Sequence, residues 1–204
     1  AVAVFVVGLV RAGRMYAGSH NSVVSAISCF TVARGILVHL IRVRDESKEH
    51  GWTPGQIQQG LVALRLAGAV ALKRPIAERL ATAANKEREG ELRVRSAVFR
   101  RKTWIISSSV TATALTAAID ESSDRTILEG KEITELRRLE SALENFTIAR
   151  YTGATDISTE GLTNLVNEGI DVVRALRLRA FPPVREGMRR IEALRALWRD
   201  RWAQ

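Results

Sequence analysis

The chain has 204 residues, of which 46% are hydrophobic and 26% charged, with only 4 prolines and 14 glycines. That composition excludes a disordered or collagen-like chain and supplies a packed core for one medium domain or two small ones. The net charge is +9, and a single cysteine excludes an intrachain disulfide.

The first ten residues, Ala1 to Val10, are apolar except for Gly8. They are too few to span a bilayer. Arg11 and Arg14 follow the run, whereas a signal peptide carries its basic residues in front. The stretch Val23–Ile41 is longer but is interrupted by Arg34 and His39. Both are read as buried or interface helices, with a membrane-surface role for the N-terminus as the alternative.

Helical periodicity dominates the rest of the chain. Asn21 or Ser22 is placed to cap a helix over roughly 22–48, apolar around most of its circumference. Within it, Ile27, Ser28, Phe30 and Val32 surround Cys29 and predict a small buried residue. Thr53-Pro54 is a helix start, with Thr as cap and Pro in the first helical position. Ile57, Leu61, Leu64, Gly68 and Ala71 continue that helix on one face until Pro75 breaks it. Residues 76–102 hold no proline and read as one helix about 40 Å long. Thr103–Ala118 reads as helix, with strand as the minority alternative because of its β-branched content. Asp120–Asp124 reads as a loop.

Lys131–Arg150 carries Leu136, Leu139, Leu143 and Phe146 on one stripe. A linker over 151–155 precedes a helix capped by Ser158, with Leu162, Leu165, Val166, Ile170, Val173 and Leu176 inward. Pro182-Pro183 stops it, and a last helix presents Val184, Met188, Ile191, Leu194 and Trp198. The expected fold is all-α, with short connections that favour antiparallel neighbours. Residues 1–102 are expected to form a helical arm and 103–204 a helical bundle.

The charge is unevenly placed. Residues 1–50 carry +3, 51–102 carry +7, 103–175 carry −6 and 176–204 carry +5. Of the basic residues 26 are Arg, whose planar fork fits phosphate. In the expected helix 76–102, Arg79, Lys86, Arg93 and Arg100 recur every seven residues, and Arg88, Arg95 and Lys102 form a second such row. Seven residues is close to two helical turns, so each row keeps to one side. Two positive rails would flank an apolar seam of Ile76, Leu80, Ala83, Val94 and Val98. Together with Arg74 and Arg101 these nine cations are the candidate contacts to a phosphate backbone, without base reading. Arg177, Arg179, Arg185, Arg189 and Arg190 form a possible second basic surface, or pair with the acidic 103–175 segment. His20, His39 and His50 share no ligand spacing, no phosphate loop is present, and Ser107–Ser109 lack a histidine nearby in sequence. No metal, cofactor or enzymatic activity is expected. Trp52, Trp104, Trp198 and Trp202 stand at segment ends, where they suit interface anchors as well as core.

Two resemblances bear on function. Thr53-Pro54-Gly55-Gln56-Ile57 through Gly68-Ala69-Val70-Ala71-Leu72-Lys73 is similar to the recognition part of a winged helix-turn-helix regulator, though the expected helix after Pro75 leaves no room for the wing. The architecture as a whole resembles the major coat proteins of filamentous double-stranded-DNA viruses of hyperthermophilic archaea. That resemblance implies an arm that wraps DNA, a C-terminal bundle, pairing with itself or a related coat protein within a larger helical assembly, and residence in the virion after assembly in the host cytoplasm. A membrane envelope is compatible with it but not indicated. The function expected first is therefore sequence-independent coating of duplex DNA. A helix-turn-helix regulator, or a helical membrane-surface or assembly protein without a nucleic-acid role, is the alternative.

Overall fold

The computed structural model describes residues 27–82, 87–96, 102–125, 130–152 and 158–181, with the backbone alone for 122–125. Five helices and one three-stranded antiparallel sheet are present among these residues: α1 Cys29–His50, α2 Pro54–Ala71, β1 Ala77–Leu80, β2 Glu91–Arg95, β3 Thr103–Ser107, α3 Ala112–Arg125, α4 Gly130–Thr152 and α5 Thr159–Ala180. The fold is mainly α rather than purely α.

Local sequence chemistry sets most of the helix ends. Ser28 caps α1 by accepting from the Thr31 amide at 3.2 Å, and Gly51 ends it at φ 75°. Thr53 caps α2 in a reciprocal box. The Gln56 amide donates to Thr53 Oγ1 at 3.3 Å, and the Thr53 amide donates to Gln56 Oε1 at 2.9 Å. Lys73 turns out of the helix at φ 54°, and Pro75 prevents its resumption. Ser158 caps α5 through the Gly161 amide at 3.0 Å. Asn21, Ser22, the first ten residues, the 153–155 linker and the expected last helix lie outside the described residues.

α2 is the centre of the molecule. It packs against α1, α4, α5 and β2, and Ile57, Gly60–Leu64 and Leu66–Ala69 are buried along it. α1 and α5 run antiparallel: Phe30 at the start of α1 meets Phe181 past the end of α5, with ring centroids 5.5 Å apart. At the opposite end, Trp52 donates its indole N–H to the Thr159 carbonyl and to Thr163 Oγ1, each at 3.2 Å. α4 lies against α2 so closely that a Cβ on Gly60 would stand 2.6 Å from the Phe146 ring. Elements on both sides of residue 102 therefore share one core, and α1 and α2 are part of the bundle.

Four expectations are corrected. Residues 76–102 do not form one helix: their described residues contribute two strands, β1 and β2. Glu91-Leu92-Arg93-Val94-Arg95 alternates exposed and buried positions, the period of a half-buried strand, and Gly90 at φ 88° supports the turn that leads into it. Thr103–Ser107, rich in β-branched and aromatic side chains, is the central strand of the order β1-β3-β2. Asp120–Asp124 lies inside α3, as a polar stretch of helix instead of a loop. Cys29 is exposed: it occupies the first position of α1, at the end of the helix, although Val32 and Ala33 on the next turn are buried.

Candidate nucleic-acid interface

The sheet carries the candidate cations. Its inner face presents Leu92, Val94 and Ile106, all in the core cluster, with Trp104 packed against it. Its outer face holds Arg79, Ile105 and Arg93 in one cross-strand row, and Thr103 beside Arg95 in the next. Ile105 is only 1% exposed although it faces away from the core cluster. The aliphatic stems of the two flanking arginines suit it as cover.

Arg79 and Arg93 are both engaged with carboxylates. Arg79 donates to Glu91 from Nε at 3.2 Å and from Nη2 at 2.6 Å, a bidentate pair, and Arg93 Nε stands 2.8 Å from Glu87. Arg150 of α4 pairs with Glu89. The Arg79 guanidinium first, then the Arg88 amide at 2.8 Å, hold the Glu91 carboxyl below its ordinary value of 4.5. That carboxylate stabilises the fold above pH 4.5, and its contribution is lost as the pH falls through its lower folded value.

The other end of the sheet is different. Arg95 and Lys102 are exposed, and neither has an ion pair among the described residues. The Ser96 amide donates to the Lys102 carbonyl at 2.9 Å and the Ala81 amide to the Thr103 carbonyl at 2.9 Å, which fixes this end of the β2–β3 hairpin. The acids of the region cluster at the far end, where Glu91 pairs in register with Ser107 and Glu78 with Ile106. Four residues of strand, about 13 Å, separate Glu91 from Arg95. The sheet thus has a neutralised end and a cationic end.

The remaining candidates are scattered. Arg88 is exposed in the turn before β2, and Arg74 is exposed between α2 and β1. Lys86, Arg100, Arg101, Arg185, Arg189 and Arg190 lie outside the described residues, although Arg100 and Arg101 belong to the sequence that joins β2 to β3. Arg79, Arg93 and Arg95 lie on strands, so no helical rail runs through them. Arg177 is half-buried in the last turn of α5. Arg179 is taken up within the chain, pairing with Glu132 of α4 at 3.0 Å and with the buried Glu135.

Sequence reasoning missed one further group. His39 on α1 is half-buried, its Nε2 is buried without a partner among the described residues, and burial, reinforced by Arg42, pushes its pKa from 6.5 down to about 4. His39 therefore stays neutral in the fold at pH values where the unfolded chain is already protonated. Stability is unaffected by this group above about pH 6.5, falls as the pH drops from there towards about 4, and falls no further below it. A urea-midpoint series across that window checks this: His39→Leu should flatten the decline, and an unchanged decline would remove His39 as its source.

Among the described residues no group of His, Cys, Asp or Glu could hold a metal ion, and no helix is long and apolar enough to cross a membrane. No protein family, curated protein or solved structure matches the chain significantly.

Proposed function

We propose that this protein is a structural DNA-binding protein that holds duplex DNA through phosphate contacts indifferent to sequence, with copies assembling along the duplex. One observation carries the reading: the cationic end of the β2–β3 hairpin, where exposed Arg95 and Lys102 have no carboxylate partner among the described residues while the neighbouring Arg79 and Arg93 are each paired with a glutamate. From Leu92 to Ile119 the sequence contains five basic residues and no acid. Such a surface suits a polyanion, and its affinity arises from the counterions it displaces. Exposed Val38, Leu178 and Phe181 on α1 and at the end of α5 offer apolar contacts between copies. Service as the coat of a filamentous DNA virion is the finer form of this reading and rests on the resemblance in architecture, with the hairpin in place of the basic helix as the element that meets DNA. The regulator reading is weaker, because a recognition helix needs a face free to enter the major groove and α2 is buried around most of its circumference.

The test is binding of the full chain to a random duplex at salt concentrations from about 50 to 200 mM, with light scattering to follow assembly. Affinity should fall steeply with salt. Arg95→Gln with Lys102→Gln should make the slope of log K against log salt shallower by about 2. Arg93→Gln should change it less, because Glu87 already holds that cation. An unchanged slope in the double variant, or strong preference for one site over random competitor, would overturn the proposal.

A further inference from the structure

A cleft of about 230 Å3 opens between the middle of α1, the first turns of α2 and the turn before β2. Its wall includes His39 and Arg42 of α1, Gln58 and Val62 of α2, and Arg88 of the turn. Two polar atoms of this wall, His39 Nε2 and Gln58 Oε1, are buried and have no hydrogen-bond partner among the described residues. Folded proteins satisfy nearly all such atoms, so two in one cleft ask for a partner that enters from outside.

The charges around them narrow the choice. Glu87, Glu89 and Glu91 also border the cleft, but each is neutralised by an arginine that does not: Arg93, Arg150 and Arg79 respectively. The arginines that do line it are less committed. Among the described residues Arg42 pairs with Glu46 alone, at 3.5 Å, and the Arg88 side chain has no ion pair, although its charge helps to hold Glu91 ionised. The cleft is therefore cationic where Arg42 and Arg88 stand and holds neutral donors and acceptors at His39 and Gln58. The depressed basicity of His39 agrees with this, since the ring offers one N–H and one lone pair at neutral pH.

We propose that the cleft binds a single nucleoside monophosphate unit, with the base against Gln58 and His39 and the phosphate at Arg42 and Arg88. A glutamine amide presents an acceptor beside a donor, the pattern that an amino-substituted heterocycle complements and that adenine matches best. Two guanidinium groups suit a phosphate. The volume lies just below the span of about 300 to 1,000 Å3 typical of small-molecule sites, so one such unit would lie partly in the open mouth of the cleft and a dinucleotide is too large for it. The unit is either a free mononucleotide or an unpaired nucleotide of a strand. Arg95 and Lys102 do not line the cleft, so this site and the duplex-binding surface stand or fall separately.

Calorimetric titration of the full chain with adenosine 5′-monophosphate, ribose 5-phosphate, inorganic phosphate and a short single-stranded oligoadenylate tests it. The expected result is saturable one-to-one binding of the mononucleotide, with the two base-free phosphates weaker by about tenfold or more, since they leave Gln58 unanswered. Gln58→Leu and Arg88→Gln should each weaken the mononucleotide by about tenfold, and Arg95→Gln should leave it unchanged. Because Arg88 is exposed, its variant keeps the test intact if Gln58→Leu fails to fold, which circular dichroism would report. Tighter binding of the oligonucleotide with the same dependence on Arg88 assigns the site to a strand; equal or weaker binding assigns it to the free nucleotide. No saturable heat, equal binding of inorganic phosphate, or indifference to Arg88→Gln would overturn the proposal.

Discussion

Phe146→Ala should cost about 3–5 kcal/mol of stability, the largest loss expected from one side chain here. Phe146 is fully buried and is the largest of the fully buried side chains among the described residues. Its ring stands edge-on to Trp52, with centroids 5.5 Å apart at 81°, and it also lies against the backbone of α2 at Gly60. Neither of these two walls readily follows it inward. Trp52 is held by its hydrogen bonds to Thr159 and Thr163, and Gly60 has no side chain to fill the space. The cavity therefore persists, and the lost transfer energy adds to the lost packing. Domains of this kind have a total stability of about 5–15 kcal/mol, so the variant should be near unfolding in water. Urea titration followed by circular dichroism checks this. A loss below about 1 kcal/mol would mean that the α2–α4 contact does not hold the fold together.

The stripe that contains Phe146 was legible in the sequence. Leu136, Leu139, Leu143 and Phe146 repeat at helical spacing, and all four are buried. The caps at Thr53 and Ser158 were equally legible, because they depend on residues at most three positions apart. The sheet was not. A seven-residue recurrence of cations fits a helix by arithmetic, yet the cations of β1 and β2 are placed by pairing to β3, which no local window contains. The usable signal was weaker and shorter: strict alternation over 91–95 and the β-branched, aromatic run at 103–107. The candidate site suffered in the same way. Arg79 and Arg95 look alike in sequence, but Arg79 meets Glu91 twelve residues away while Arg95 is carried to the opposite end of the strand. Nothing in the sequence marked His39 and Gln58 as neighbours, since they come together only when α1 and α2 pack.

Gly35→Ala should cost about 1–3 kcal/mol although it replaces glycine by the best helix former. An added Cβ at this point of α1 would lie 2.6 Å from both Cγ atoms of Val94 and 3.1 Å from its Cβ. Val94 is 1% exposed on β2, and a β-branched side chain against a strand backbone has few rotamers to escape into. Relief thus requires β2 to move off α1. Against this stands a gain of about 1 kcal/mol in helix propensity, smaller than the overpacking it accompanies. Gly55→Ala is the control: a Cβ there meets nothing within 4 Å, so that variant should be neutral or slightly stabilising. Val94→Ala made together with Gly35→Ala should cost less than the two changes summed, since the smaller side chain removes the clash. Urea midpoints of the three single variants and the double variant decide the matter, and Gly35→Ala as harmless as Gly55→Ala would disprove the close approach. The same displacement carries the hairpin end with it. Gly35→Ala should therefore also weaken duplex binding, in the direction of the Arg95 and Lys102 variants but without their change in salt slope, because the cations remain and only their placement is lost.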